Sequence, residues 1–172
     1  VAMSKYNAFE ISGPLRSAML VLSDASMVIG LIGIVAAYVW WLLRRRASLY
    51  LGIVIALAVL TIMIVTNKTF SPQYVIWLGG PMAVLLLASE RPDLPAGVAA
   101  PRLTARRLAA ALLIITALTQ LVYPIFYDAL VFGGPLNGFI TAVLVVRNLL
   151  LVAYLAWLLL LVFQREPSDD VS

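Results

Sequence analysis

Five long apolar runs joined by short polar links leave this chain few folds to choose from. They cover residues 25–43, 47–66, 72–88, 108–123 and 139–163. About 20 apolar residues, rising about 1.5 Å each, cross the roughly 30 Å hydrocarbon core of a bilayer. Within that core every backbone N–H and C=O needs an internal partner, which selects helices for separate runs. Composition agrees: 63% of the 172 residues are apolar, 12% are charged, and mean hydropathy is +1.04. Soluble domains run at about 45–50% and about 25%. The expected fold class is all-α: an integral membrane protein with five transmembrane helices.

Residues 1–24 read as an extracytoplasmic or interfacial segment, 25–165 as the membrane domain and 166–172 as a cytoplasmic tail. Residues 15–22 are too short to span and read as interfacial, or as the protruding first turns of the next helix. The first span ends in Trp40-Trp41 and then Arg44-Arg45-Arg46, an aromatic belt followed by a basic stop. The third is interrupted by Gly79-Gly80-Pro81. Pro81 has no N–H for the carbonyl of Trp77, so a kink is expected, with neighbours close enough to touch the bare glycines. Residues 89–107 and 123–137 read as loops. One set of links carries Arg44, Arg45, Arg46, Arg91, Arg102, Arg106, Arg107 and Arg165, the other only Lys5, Arg16 and Lys68. The positive-inside rule then puts the N-terminal segment outside and the C-terminus in the cytoplasm. A chain that opens on Val1, with a possible start at Met3, is expected to be a piece of something longer or a processed product.

The polar island Asn67-Lys68-Thr69-Phe70-Ser71-Pro72-Gln73-Tyr74 falls on the outer face in this topology. Ser71 suits a helix N-cap and Pro72 the first helical position, where a missing N–H costs nothing. The free amides and positive dipole end of that helix, with Lys68 beside them, form a ready site for an anion such as a phosphate. The plainer reading has Lys68 snorkelling at a helix end and Tyr74 and Trp77 forming an interface belt. Arg147 lies about nine residues into its span, roughly 13 Å deep. Insertion scales put its cost at about 2.5–3.5 kcal/mol, so it should face a partner or a wet cavity unless it snorkels to the headgroups. Asn148 fits a hydrogen bond between helices, and Asp128 a solvated loop carboxylate or, less simply, a general base.

Several chemistries are excluded by residue type. Neither cysteine nor histidine occurs, which removes thiol chemistry and the commonest catalytic base and metal ligand. No G-x-x-x-x-G-K phosphate loop and no G-x-S-x-G elbow is present. A channel would want repeated polar positions along a span, and only Arg147 qualifies.

The stretch from Asn67 to Leu78 resembles the K-x-(F/L)-S-P-Q-Y-x-x-W-L signature of bacterial membrane glycosyltransferases of family 87. These are GT-C type, polyprenyl-phosphate-mannose-dependent mannosyltransferase-like enzymes. Arg147-Asn148-Leu149-Leu150-Leu151 is similar to that family's C-terminal helix. The likeness covers roughly residues 15–165, the C-terminal half of such an enzyme. It implies a bacterial inner-membrane protein that takes a sugar from a polyprenyl-phosphate donor on the extracytoplasmic face. Lys68, Ser71, Gln73, Tyr74 and Arg147 would hold the donor phosphate, with Pro72, Gly79, Gly80 and Pro81 shaping the helix start and kink. The family's catalytic aspartate belongs to the N-terminal half, which would be the partner of this part. Residues 1–12 do not reproduce the family's usual histidine, arginine and Gln-x-Glu-Ser pattern. The alternative is a small non-catalytic multi-pass subunit or lipid-binding scaffold; a transporter fits less well, because the spans lack polar faces. No metal or cofactor is expected besides the lipid-linked donor.

Overall fold

The computed structural model describes residues 2–3, 9–10, 14, 16–43, 49–67, 72–91 and 101–163. Apart from a two-residue antiparallel pairing of β1 (Ala2–Met3) with β2 (Phe9–Glu10), the described architecture is helical. Its helices are α1 (Arg16–Leu43), α2 (Leu49–Thr66), α3 (Gly79–Glu90), α4 (Arg102–Gln120), α5 (Tyr127–Phe132) and α6 (Asn137–Phe163). A 3₁₀ segment, Pro72–Leu78, leads straight into α3, and a π turn, Leu121–Ile125, closes α4. Four helical stretches are long and apolar enough to cross a membrane: Leu20–Trp40, Leu49–Thr66, Arg102–Ile125 and Asn137–Phe163. The apolar stretch Tyr74–Glu90 is shorter. This is the architecture of a multi-pass membrane protein.

Several boundaries differ from expectation for local reasons. α1 begins at Arg16 and runs unbroken past position 24, so residues 16–22 are its first turns. Ser26 keeps its hydroxyl on its own helix, donating to the Leu22 carbonyl at 2.7 Å. α4 starts directly after Pro101, so Arg102, Arg106 and Arg107 are helical and not in a loop. Arg102 and Arg106 both reach the Glu90 carboxylate, at 2.6 and 2.9 Å, which ties the end of α3 to the start of α4.

The expected outer loop at 123–137 contains α5. Tyr123 adopts extended backbone angles before Pro124 and ends the α4 helix. Gly133 and Gly134 have φ of 82° and 124°, a reversal that side-chain-bearing residues rarely make. Asn137 stabilises the turn by donating from Nδ2 to the carbonyls of Ala129 and Leu130 at 3.0 and 3.2 Å.

α2 is the centre of the bundle. Leu57, Val54 and Thr61 are fully enclosed, and α2 packs against α1, α3, α6 and the 3₁₀ segment. Thr61 is tolerated there because its hydroxyl donates to the Leu57 carbonyl at 2.7 Å. α1 runs antiparallel to α2, with Gly30 against Ile62 and Thr66, and its far end meets the end of α6 where Trp40 and Phe163 stack edge to face at 5.5 Å. The bundle therefore has two distinguishable ends. Arg91, Arg102, Arg106 and Arg107 gather at one, while Asn67, Asp128 and Asn137 lie at the other.

Candidate functional site

Of the residues singled out in the polar island, Lys68 and Ser71 lie outside the described residues, as does the side chain of Gln73. Pro72 opens a helical segment as its fixed φ and missing N–H favour, but the first two turns are 3₁₀ rather than α. The change to α geometry comes at Gly79, just ahead of Pro81, whose ring and absent donor act on the turn before it.

Tyr74 is half-buried against the core, and its ring meets Trp77 at 4.7 Å, tilted by 41°. Val75 and Leu78 point inward and are buried, while Trp77 is half-exposed. The Tyr74–Trp77 pair thus sits where the chain enters its short third apolar stretch, the position of an interfacial aromatic pair.

Gly79 and Gly80 correct an expectation. They are exposed, and a Cβ built on either would meet nothing within 4 Å among the described residues. They do not admit a close neighbour; they leave the outward face of α3 thin.

Arg147 is the strongest polar anomaly in the fold. It is 3% exposed, on the stripe Ile140, Arg147, Leu151, Tyr154, Leu158 and Val162 that α6 buries. That 3–4 residue spacing turns its guanidinium into the bundle rather than along the lipid face. Its Nη2 donates to the Asn148 side-chain oxygen at 2.6 Å, so Asn148 serves its own helix instead of bridging to another. α6 packs chiefly on α2 and α4, so Arg147 faces the bundle centre. Seven residues on, the Tyr154 hydroxyl is buried and makes no hydrogen bond among the described residues. Sequence reasoning missed Tyr154, because α6 is apolar all round and its buried stripe shows only in three dimensions. Thr119 on α4 is buried too, its hydroxyl donating to the Ile115 carbonyl at 2.7 Å.

Asp128 stands exposed in the first turn of α5, beside the Tyr123–Tyr127 ring pair. Among the described residues no cluster of three or more acidic side chains could hold a metal ion.

No protein-family model, curated protein or solved structure matches this chain.

Proposed function

We propose that this chain is the C-terminal, donor-binding part of a bacterial membrane glycosyltransferase that uses a polyprenyl-phosphate-linked sugar, mannose by the family likeness, on the extracytoplasmic face. In this reading the 3₁₀–α3 stretch is a fifth crossing, and the arginine-bearing end of the bundle is cytoplasmic. The observation that carries the proposal is the signature from Lys68 to Leu78, supported by a helix that opens at Pro72 and by Tyr74, two residues on, packed against the core.

Lys68 and the opening of that helix bind the donor phosphate, and Gln73 and Tyr74 orient phosphate or sugar hydroxyls. Arg147 adds positive charge from the interior of the bundle. Breaking the bond between sugar and phosphate leaves negative charge on the lipid phosphate. Fixed cations and amides stabilise that charge more in the transition state than in the bound donor. The base that activates the acceptor comes from the N-terminal half of the enzyme.

The test is transfer from labelled polyprenyl-phosphate mannose in membranes containing the full-length parent. Lys68→Ala lowers the transfer rate by roughly 10²-fold or more, in the range found for loss of one charge-stabilising donor. Unchanged transfer removes the island from the active site and favours a non-catalytic lipid-binding scaffold.

A further inference from the structure

The three arginines that open α4 are not equivalent. Arg102 and Arg106 lie one turn apart and share the Glu90 carboxylate at 2.6 and 2.9 Å. Arg107 is turned about 100° from Arg106 around the helix. It is exposed and makes no hydrogen bond or ion pair among the described residues. Leu103, Ala110 and Ile114 share its stripe at helical spacing and are exposed as well. Arg107 therefore stands on the outward side of a helix long and apolar enough to cross the membrane.

Its depth suits a lipid headgroup. Arg107 lies about 8 Å into α4, and side chains on a helix lean toward its N-terminus. For α4 that is the basic end of the bundle, so the aliphatic stem carries the guanidinium back toward the membrane surface. One turn deeper, the seam between α4 and α6 opens into a shallow apolar cleft. Ala111 and Ile114 border it on α4, and Leu150, Ala153 and Trp157 on α6. Ala111 follows Arg107 by four residues, so cation and cleft share one flank, with the cation on the surface side.

The charge around Arg107 selects the head. Among the described residues this end carries Arg91, Arg102, Arg106 and Arg107 against Glu90 alone. A zwitterionic lipid would bring its own ammonium into that positive field, whereas a lipid of net negative charge brings attraction only. We propose that Arg107 and the α4–α6 cleft beneath it hold one anionic phospholipid, its phosphate at the guanidinium and one acyl chain between the helices. The site lies at the end of the bundle away from Asn67 and does not depend on the donor reading of the polar island.

Native mass spectrometry of the chain in mild detergent, offered phosphatidylglycerol and phosphatidylcholine with matched tails in equal amounts, tests this. The unaltered chain retains phosphatidylglycerol in preference. Arg107→Gln lowers that retention about fivefold, the usual effect of one basic residue at an anionic surface, and leaves phosphatidylcholine unchanged. Arg102→Gln removes the same charge with a clearly smaller effect, because Glu90 already engages that guanidinium. A photoreactive group in the acyl chain of phosphatidylglycerol reads the site on the unaltered chain, with adducts gathered at Ala111, Ala153 and Trp157. The proposal is overturned by failure to retain phosphatidylglycerol above phosphatidylcholine, by an Arg107→Gln loss no larger than that of Arg102→Gln, or by adducts spread evenly over the outward faces of the helices.

Discussion

α1 and α2 are both uninterrupted apolar helices, yet they occupy the bundle in opposite ways. Over its apolar window α1 is 6% buried and α2 is 50% buried, with mean hydropathies of 2.2 and 2.7. In water such similar sequences would both seek the core. In a bilayer the surroundings are as apolar as the interior, so hydrophobicity drives a helix into the membrane without saying which neighbour it meets. Fit decides that. α2 presents interlocking Leu, Ile and Val on several sides, whereas α1 meets the bundle along one narrow side, at Gly30, Ala37 and Trp40, and turns Val28, Leu31, Ile32 and Val35 outward.

The largest effect that would break this contrast is a pair of truncations. Leu57→Ala, at a fully enclosed site in α2, should cost about 2 kcal/mol. That is the low end of the usual range, since lipid is as apolar as the core and only packing is lost. Ile32→Ala in α1, 64% exposed, should stay within about 0.5 kcal/mol. Unfolding in mixed micelles of denaturing and mild detergent compares the two. Equal losses would mean that α1 is packed as tightly as α2.

Next in size is the docking of α1. A Cβ at Gly30 would lie 2.8 Å from Thr66 Cγ2 and 3.0 Å from Ile62 Cγ2. Gly30→Val should therefore push α1 off α2, an overpacking penalty of about 1–3 kcal/mol, while leaving α2, α4 and α6 together. The chain has no native cysteine, so a Trp40→Cys, Phe163→Cys pair reports the separation cleanly. Crosslinking by a short bifunctional thiol reagent falls in the Gly30→Val background if α1 detaches, and persists if it is held elsewhere.

Legibility in the sequence divides along the same line. α2 and α6 were readable to within two residues, because a long apolar run has one stable form in lipid. The start of α1 was obscured by Arg16, Ser17, Ser23 and Asp24, which interrupt an apolar count but not a helix. The arginines at 102, 106 and 107 resembled a loop because Glu90, the partner of Arg102 and Arg106, lies across the link between α3 and α4. Arg147 was legible as an outlier from its depth alone. Its inward direction was implicit in the spacing of Ile140, Leu151, Tyr154 and Leu158, but a helix apolar all round hides which stripe is buried. The openness around Gly79 and Gly80 had no signature, since small residues mark close packing and bare lipid-facing surface alike.

The smallest expected effect lies at the basic end, where an exposed charge clamp is added to the buried contact between α3 and α4. Hydrogen bonding from Arg102, then from Arg106, together with their positive charge, holds the Glu90 carboxyl below the ordinary glutamate value, against a smaller opposing effect of desolvation. A carboxyl lowered in the folded state contributes stability that is full above its unfolded pKa of about 4.3 and is lost as pH falls through the folded value. The clamp is solvent-exposed, so its contribution is small and screened by salt. Glu90→Gln should flatten the acid limb of the stability profile slightly and leave stability at pH 7 nearly unchanged in high salt. An acid limb identical in wild type and variant at low salt would show that α3 and α4 are held by their buried faces alone, as α2 is, and that charge adds nothing at this end.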